Sequence, residues 1–333
     1  QYNLNGQYNV ASGYQVMRNN STGNYNVAMG YHALYENTNG GSLVAIGDSA
    51  LFSNGLGATI TIQGSGNTAV GSKALCLNNI GYYNTAVGYH AMYANDEGRY
   101  NTVSGYRALF ENTSGHSNTA AGYYTMRHNL TGLYNTSYGR EAGYYNETGS
   151  YNTAMGFRSG PANGSGDLSN TTAIGNGATV TASNTIRIGN TSISSIGGYA
   201  PWSNLSDGRF KTNISSDVPG LAFIMKLNPV LFNWDMDKLD EFNGNEMDDQ
   251  DMEHANAEKA ARIQTGFIAQ EVEQAAKECN YDFSGIVKPE NEDSHYNLSY
   301  AEFVVPLVKA IQEQQEEIEH LKKRINELEQ DNK

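Results

Sequence analysis

One short string could carry covalent chemistry. Ser206-Asp207-Gly208-Arg209-Phe210-Lys211 sets a hydroxyl and an amine five residues apart, with a glycine between them that permits a turn. A serine beside a lysine can act as nucleophile and base. The lysine accepts a proton near neutral pH only where burial or neighbouring charge lowers its pKa. Read by itself the pair is a weak signal, because Ser and Lys this close are common. The other reactive side chains carry less. Cys76 and Cys279 are too few for a disulfide framework and have no metal-ligand neighbours, so neither metal nor cofactor is expected. His254 and His295 have no evident partner and read as surface residues. The acidic run Asp235–Glu258 lacks glycine at the sixth position from Asp235 and fails the spacing of a calcium loop. It reads as a solvated loop insertion.

What must position such a pair is a chain with two physically different regions. Of its 333 residues, 17% are charged and 11% aromatic, with 36 Gly and 23 Tyr, which does not fit a disordered chain. Residues 1–199 hold 8 basic and 8 acidic residues, while 200–333 hold 13 and 27, the whole of the net −14. Glycine divides at the same place, 31 before residue 200 and 5 after. An acidic second half excludes a phosphate-backbone partner, so no nucleic acid is expected. No apolar run is long enough for a membrane span, and no secretory signal is read.

The first region repeats. Gly13, Gly30 and Gly47, then Gly71, Gly88, Gly105, Gly122, Gly139 and Gly156, recur every 17 residues. One step of 24 carries a seven-residue excess, placed within Gly55–Gly66, and Gly175 follows at 19. Seventeen residues hold two short strands and two turns, which predicts a parallel β-solenoid over 1–199 of about ten coils, about 4.8 Å apart. Asn26, Asn67, Asn84, Asn101, Asn118, Asn135 and Asn152 fall on one line, interrupted by Leu43, and their amides can bond up the ladder. His32 and His90 share one repeat position and read as rungs, not catalysts. Of the 23 Tyr, 20 lie in this region. They either stack on sugars or pack between coils, and packing is the expected role. Coils this thin bury too little to fold alone, which predicts a symmetric oligomer.

Asn170-Thr171-Thr172-Ala173-Ile174-Gly175 and Asn184-Thr185-Ile186-Arg187-Ile188-Gly189 resemble the NSVAIG-like repeats of the β-roll head of trimeric autotransporter adhesins. The 17-residue period is longer than that family's usual coil. The second region carries a stronger likeness. Its SDGRFK string at 206–211 matches the SDxRxK signature of the intramolecular chaperone domain of endosialidases and of phage tail spikes and fibres. Thr265-Gly266-Phe267-Ile268-Ala269-Gln270-Glu271-Val272 resembles that family's GFIAQEV helix. Ser299–Gln312, SYAEFVVPLVKAIQ, resembles its last motif. The resemblance covers roughly 200–333. It implies a homotrimer whose C-terminal domain guides folding of the fibre and then cuts itself off as a single-turnover Ser–Lys peptidase. Ser206 would be the nucleophile and Lys211 its proton acceptor. Asp207 would complete the scissile Ser206–Asp207 dipeptide, and Gln270 and Glu271 would support the site.

The last segment reads as a parallel coiled coil over 303–333. Leu307, Ile311, Gln314, Ile318, Leu321, Ile325 and Leu328 alternate by four and three. Ile at a with Leu at d favours dimers, whereas Gln314 at d and the resemblance favour three strands. The expected organisation is therefore a solenoid (1–199), a linker to the cut (200–206), a small α+β chaperone and auto-protease domain (207–302) and the coiled-coil helix. A cut after Ser206 would release 207–333 from a trimeric fibre that meets a glycan or protein receptor outside the cell, at a cell surface or on a virion tail. Two alternatives stand beside it. The rod could itself degrade polysaccharide, or the chaperone domain could be present without cutting.

Overall fold

The structure, a computed structural model, describes residues 5–200, 202–243, 250–291 and 294–331. Cα packing separates two units. The first holds the described residues through Ile193 together with the stretch from Lys238, and the second takes the described remainder from Ser194.

The first unit is a parallel β-solenoid. Eleven three-residue strands, from Val10–Ser12 to Ile186–Ile188, form one sheet in strict chain order. Register follows the 17-residue period, with Val27 opposite Val44 and Thr85 opposite Thr102. The glycine spacing gave about ten coils; the eleventh strand, Ile186–Ile188, follows its neighbour after a step of only 14 residues. The seven-residue excess falls between Asn54 and Gly64. Asn37 Nδ2 donates to Gly40 O three residues on, whereas Asn54 Nδ2 must reach Gly64 O ten residues on.

Each coil has a narrow interior. The middle residue of the strand turns inward, so Ala28, Ala45, Ala69 and Ala86 are fully buried. Ala33 and Leu34, and their equivalents in later coils, close the opposite wall. Polar ladders fill the corners. Asn101 Nδ2 donates to Asn84 Oδ1 (3.0 Å) and Gly115 O (3.0 Å), and Asn101 Oδ1 accepts from Asn118 N (2.9 Å). Leu43 leaves this line but keeps its pattern, donating its N–H to Asn26 Oδ1. A second ladder runs through Asn37, Asn54, Asn78, Asn95 and Asn112, each amide donating to the Asn one coil before. These bonds satisfy buried backbone groups that a thin alanine core could not.

The Tyr rings pack between coils, as expected. Tyr89, Tyr106 and Tyr123 stack at 5.4 and 5.2 Å, and Tyr14 stacks on Tyr31 at 5.5 Å. Ring faces thus meet ring faces from coil to coil, although many of these rings remain exposed.

His90 is such a rung. Its ring lies 4.0 Å from Tyr89 and 5.0 Å from Tyr93, and its two buried nitrogens have no hydrogen-bond partner among the described residues. Burial, then the nearby Lys73 and Arg107 cations, lowers its pKa below 6.5. Burial and Arg99 lower His116 likewise. In both cases the unfolded chain takes up the proton first. The stabilisation is complete above about 6.5 and is lost as pH falls below it. Melting followed by circular dichroism is expected to shift downward between pH 7.5 and 5.5, and His90→Phe to flatten that slope.

The second unit is a small α/β region followed by a long helix. Helix α1 (Leu221–Ile224) precedes the strand Val230–Phe232, which pairs antiparallel with Gln264–Gly266. Helices α2 (Met236–Asn243) and α3 (Gln250–Ala261) occupy most of the acidic run. The solvated-loop reading of Asp235–Glu258 is therefore corrected for its described residues. Met236 is buried, and the alanines of HANAEKAA are strong helix formers. His254 sits on α3 and pairs with Glu258 at 3.3 Å. Helix α4 (Ala269–Glu278) packs Val272, Ala275 and Ala276 onto Phe223, Phe283 and Phe303. Helix α5 (Val304–Asp331) follows a 3-10 turn at Tyr300–Phe303 and buries only Pro306 and Ala310 within this chain. Among the described residues no helix is long and apolar enough to cross a membrane.

Candidate active site

A single turn assembles the pair. Asp207 begins a 3-10 helix at Gly208–Phe210, and its side chain accepts from Arg209 N at 2.9 Å. Phe210 N and Lys211 N donate back to Asp207 O and Gly208 O. The turn folds Lys211 over Ser206, leaving Lys211 Nζ 2.9 Å from Ser206 Oγ. That distance is a direct hydrogen bond and meets the reach required of a base.

Asp207 is engaged elsewhere. The Arg209 guanidinium grips its carboxylate from Nε (2.9 Å) and Nη2 (2.6 Å). Hydrogen bonds from the Arg209 side chain, then from its backbone, hold the Asp207 carboxyl below the usual carboxylate range. Arg209 thus fixes the turn and lies outside the Ser–Lys pair.

Gln270 and Glu271 lie on the first turn of α4, both exposed. Glu271 Oε2 accepts from Asn228 Nδ2 at 3.3 Å. Among the described residues no hydrogen bond joins either side chain to Ser206 or Lys211. The chain by itself brings together Ser206, Asp207 and Lys211 and leaves Gln270 and Glu271 outside that cluster.

The surroundings are apolar and uncovered. Leu205 is 82% exposed, Phe210 69% and Ile214 76%, and Trp202 is also exposed. Large apolar side chains so exposed on one short segment are uncommon on a protein surface.

The framework behind the site rests on ion pairs that sequence reading missed. Glu273 receives Lys288 and Lys277 at 2.9 Å each and the Tyr296 hydroxyl at 3.0 Å. Hydrogen bonds from Lys288 and Lys277 lower its pKa to about 2. Only the Glu273–Lys277 spacing of four was visible beforehand. Glu313 of α5 accepts from Leu221 N at 2.7 Å, tying α1 to the long helix. Gly220 sits where a Cβ would meet the Ala310 backbone N at 2.7 Å, so this contact requires glycine.

Taken together, these features define a β-solenoid followed by a small α/β region that carries a Ser–Lys pair and ends in a long helix. Comparison with protein families is consistent with this class. Residues 206–281 match the model of a peptidase family described as the chaperone of endosialidase, and the match begins at Ser206. That segment is therefore similar to a chaperone domain whose family includes self-cleaving peptidases. No curated protein and no solved structure matches the chain.

Proposed function

We propose that this chain is a trimeric fibre protein whose C-terminal domain drives trimerisation and folding and then removes itself by cleavage next to Ser206. The observation that carries the reading is the 2.9 Å contact of Lys211 Nζ with Ser206 Oγ at the first residue of the family match. The uncovered apolar segment around the site supports assembly, as does α5. Leu307, Ile311, Ile318, Leu321 and Ile325 are all exposed along its seam. Three parallel copies of α5 would cover that seam and hold near-identical coils in register, which otherwise could slip by one repeat.

Assembly would bury Lys211, which is exposed in the single chain. Burial favours the neutral amine, so cutting would follow correct assembly. Gln270 and Glu271 would line the site in the assembled state. In the reaction, neutral Lys211 takes the Ser206 hydroxyl proton while Oγ adds to a neighbouring carbonyl carbon. The amide nitrogen leaves with that proton, and water hydrolyses the ester and restores the hydroxyl. Attack on the Leu205 carbonyl closes a five-membered ring within one chain. The Ser206 carbonyl lies too close for its own Oγ, so a cut there uses Ser206 of another copy.

N-terminal sequencing of the released fragment distinguishes the routes. Ser206 as first residue reports attack within the chain, and Asp207 reports the second route. A fragment beginning elsewhere, or none at all, contradicts the proposal. The fibre would work outside the cell, on a virion tail or cell surface, meeting a glycan or protein receptor. Glu141 does not suit the acid of a polysaccharide-degrading rod. Burial would raise the Glu141 pKa, but hydrogen bonds from Arg158 and Arg140 outweigh it and hold the group below the ordinary value. A glycosidase acid needs the opposite shift.

A further inference from the structure

In every coil between the first and last strands the middle strand residue points inward and the residues on either side point outward. The residue two places before the strand, mostly at a left-handed corner, borders that outward face and is exposed or half-buried. Three columns of eleven positions therefore run along the outside of the sheet. The first, from Val10 to Ile186, holds only Val, Thr and Ile. The second, from Ser12 to Ile188, holds Ser, Met, Ile, Val, Ala and Tyr. The third, from Tyr8 to Asn184, holds Tyr, Ser, Gly and Asn. No position in them is charged. All 8 basic and 8 acidic residues of 1–199 lie elsewhere.

This face is uncharged and open. Met29, Val87, Met155 and Ile174 are exposed along it, and Ile186 is 73% exposed. A soluble protein rarely leaves a continuous uncharged strip of this length to water. We infer that this outer face is the surface along which copies of this chain pack against one another, a conclusion that rests on the trimer reading above.

Three arguments select a second copy as the occupant. The first is symmetry. Parallel copies in register bring like residues to the same level, so a charged column would meet its own sign. This face holds none. The turns opposite carry Arg107, Glu111, Arg127, Arg140, Glu141 and Arg158, mostly paired within the chain. The second is area. Eleven strands at about 4.8 Å by three residues at about 3.3 Å give roughly 500 Å², and the bordering corner residues bring it toward the ~800 Å² that each partner contributes to a stable interface. The third is shape. β-branched Val and Thr on a pleated sheet make a flat surface, and facing sheets pack about 10 Å apart.

The test is cross-linking of the full chain carrying Ser206→Ala and Cys279→Ser. Cys76 remains, but it is buried, and burial pushes its pKa up to about 11, which keeps it unreactive. Thr85→Cys sits on the proposed face, and Thr102→Cys lies one coil along in case the first variant misfolds. Glu97→Cys, on an exposed turn, is the control. A short bis-maleimide is expected to give interchain dimers with Thr85→Cys and Thr102→Cys and not with Glu97→Cys. A trimer by light scattering that cross-links only through Glu97→Cys, through all three sites equally, or through none overturns this face and leaves the trimer reading standing. A monomer by light scattering removes both.

Discussion

Ser206→Ala is expected to leave the full 333-residue chain as one band on a denaturing gel, while the wild type resolves into two fragments. The expectation rests on one contact and one geometry. Lys211 Nζ is the group that touches Ser206 Oγ, and the 3-10 turn holds it there. Removing the hydroxyl removes the attacking atom, so the loss is complete. Lys211→Ala removes the base and should slow cleavage by about 10²–10⁴-fold, the range a positioned acid–base group supplies. Lys211→Arg separates charge from chemistry. Arginine keeps the cation but stays protonated in proteins, so it should fail as Ala does. Asp207→Asn loosens the grip of Arg209 on the turn and should slow cutting without abolishing it. Band intensities over time after purification give all four rates. Cutting at wild-type rate in Ser206→Ala would remove Ser206 from the mechanism.

The second large effect belongs to the solenoid. Gly88 has φ +135°, and a Cβ there would meet the Gly105 carbonyl oxygen at 2.4 Å and its carbon at 2.7 Å. Both atoms are backbone, so no side chain can move aside. Gly88→Ala must break the coil stacking or pay backbone strain, about 3 kcal/mol or more per chain. In an oligomer every copy carries that penalty. Gly197→Ala is the matching control, because nothing lies within 4 Å of its added Cβ and its φ is ordinary. It should change stability by no more than about 0.5 kcal/mol. Denaturant unfolding compares the two. Equal midpoints would mean that the coils do not stack as described.

The solenoid was legible because its period is written in glycine and asparagine. Gly88 recurs because a carbonyl from the next coil occupies the space of its side chain, and Asn101 because it satisfies three neighbours at once. The left-handed corners were not legible. Tyr83, His90 and Met92 adopt φ of 54°, 54° and 51°, a region usually left to Gly or Asn. Their side chains are chosen for stacking and core filling, so residue type says nothing of the backbone. The helices of the acidic run were missed for a related reason. Among the described residues, charge masked the buried apolar anchor Met236. The Ser–Lys pair was legible only through the SDGRFK string, since spacing alone is common. The bonds of Lys288 to Glu273 and of Glu313 to Leu221 join segments far apart in the chain, and no local pattern announces them.

The mass of the uncut chain in solution tests the central claim. Light scattering of full-length Ser206→Ala should give three times 36.2 kDa, with circular dichroism reporting folded β-structure. A particle of 36.2 kDa with its coils already folded would contradict the account, for the solenoid would then need neither partners nor a template.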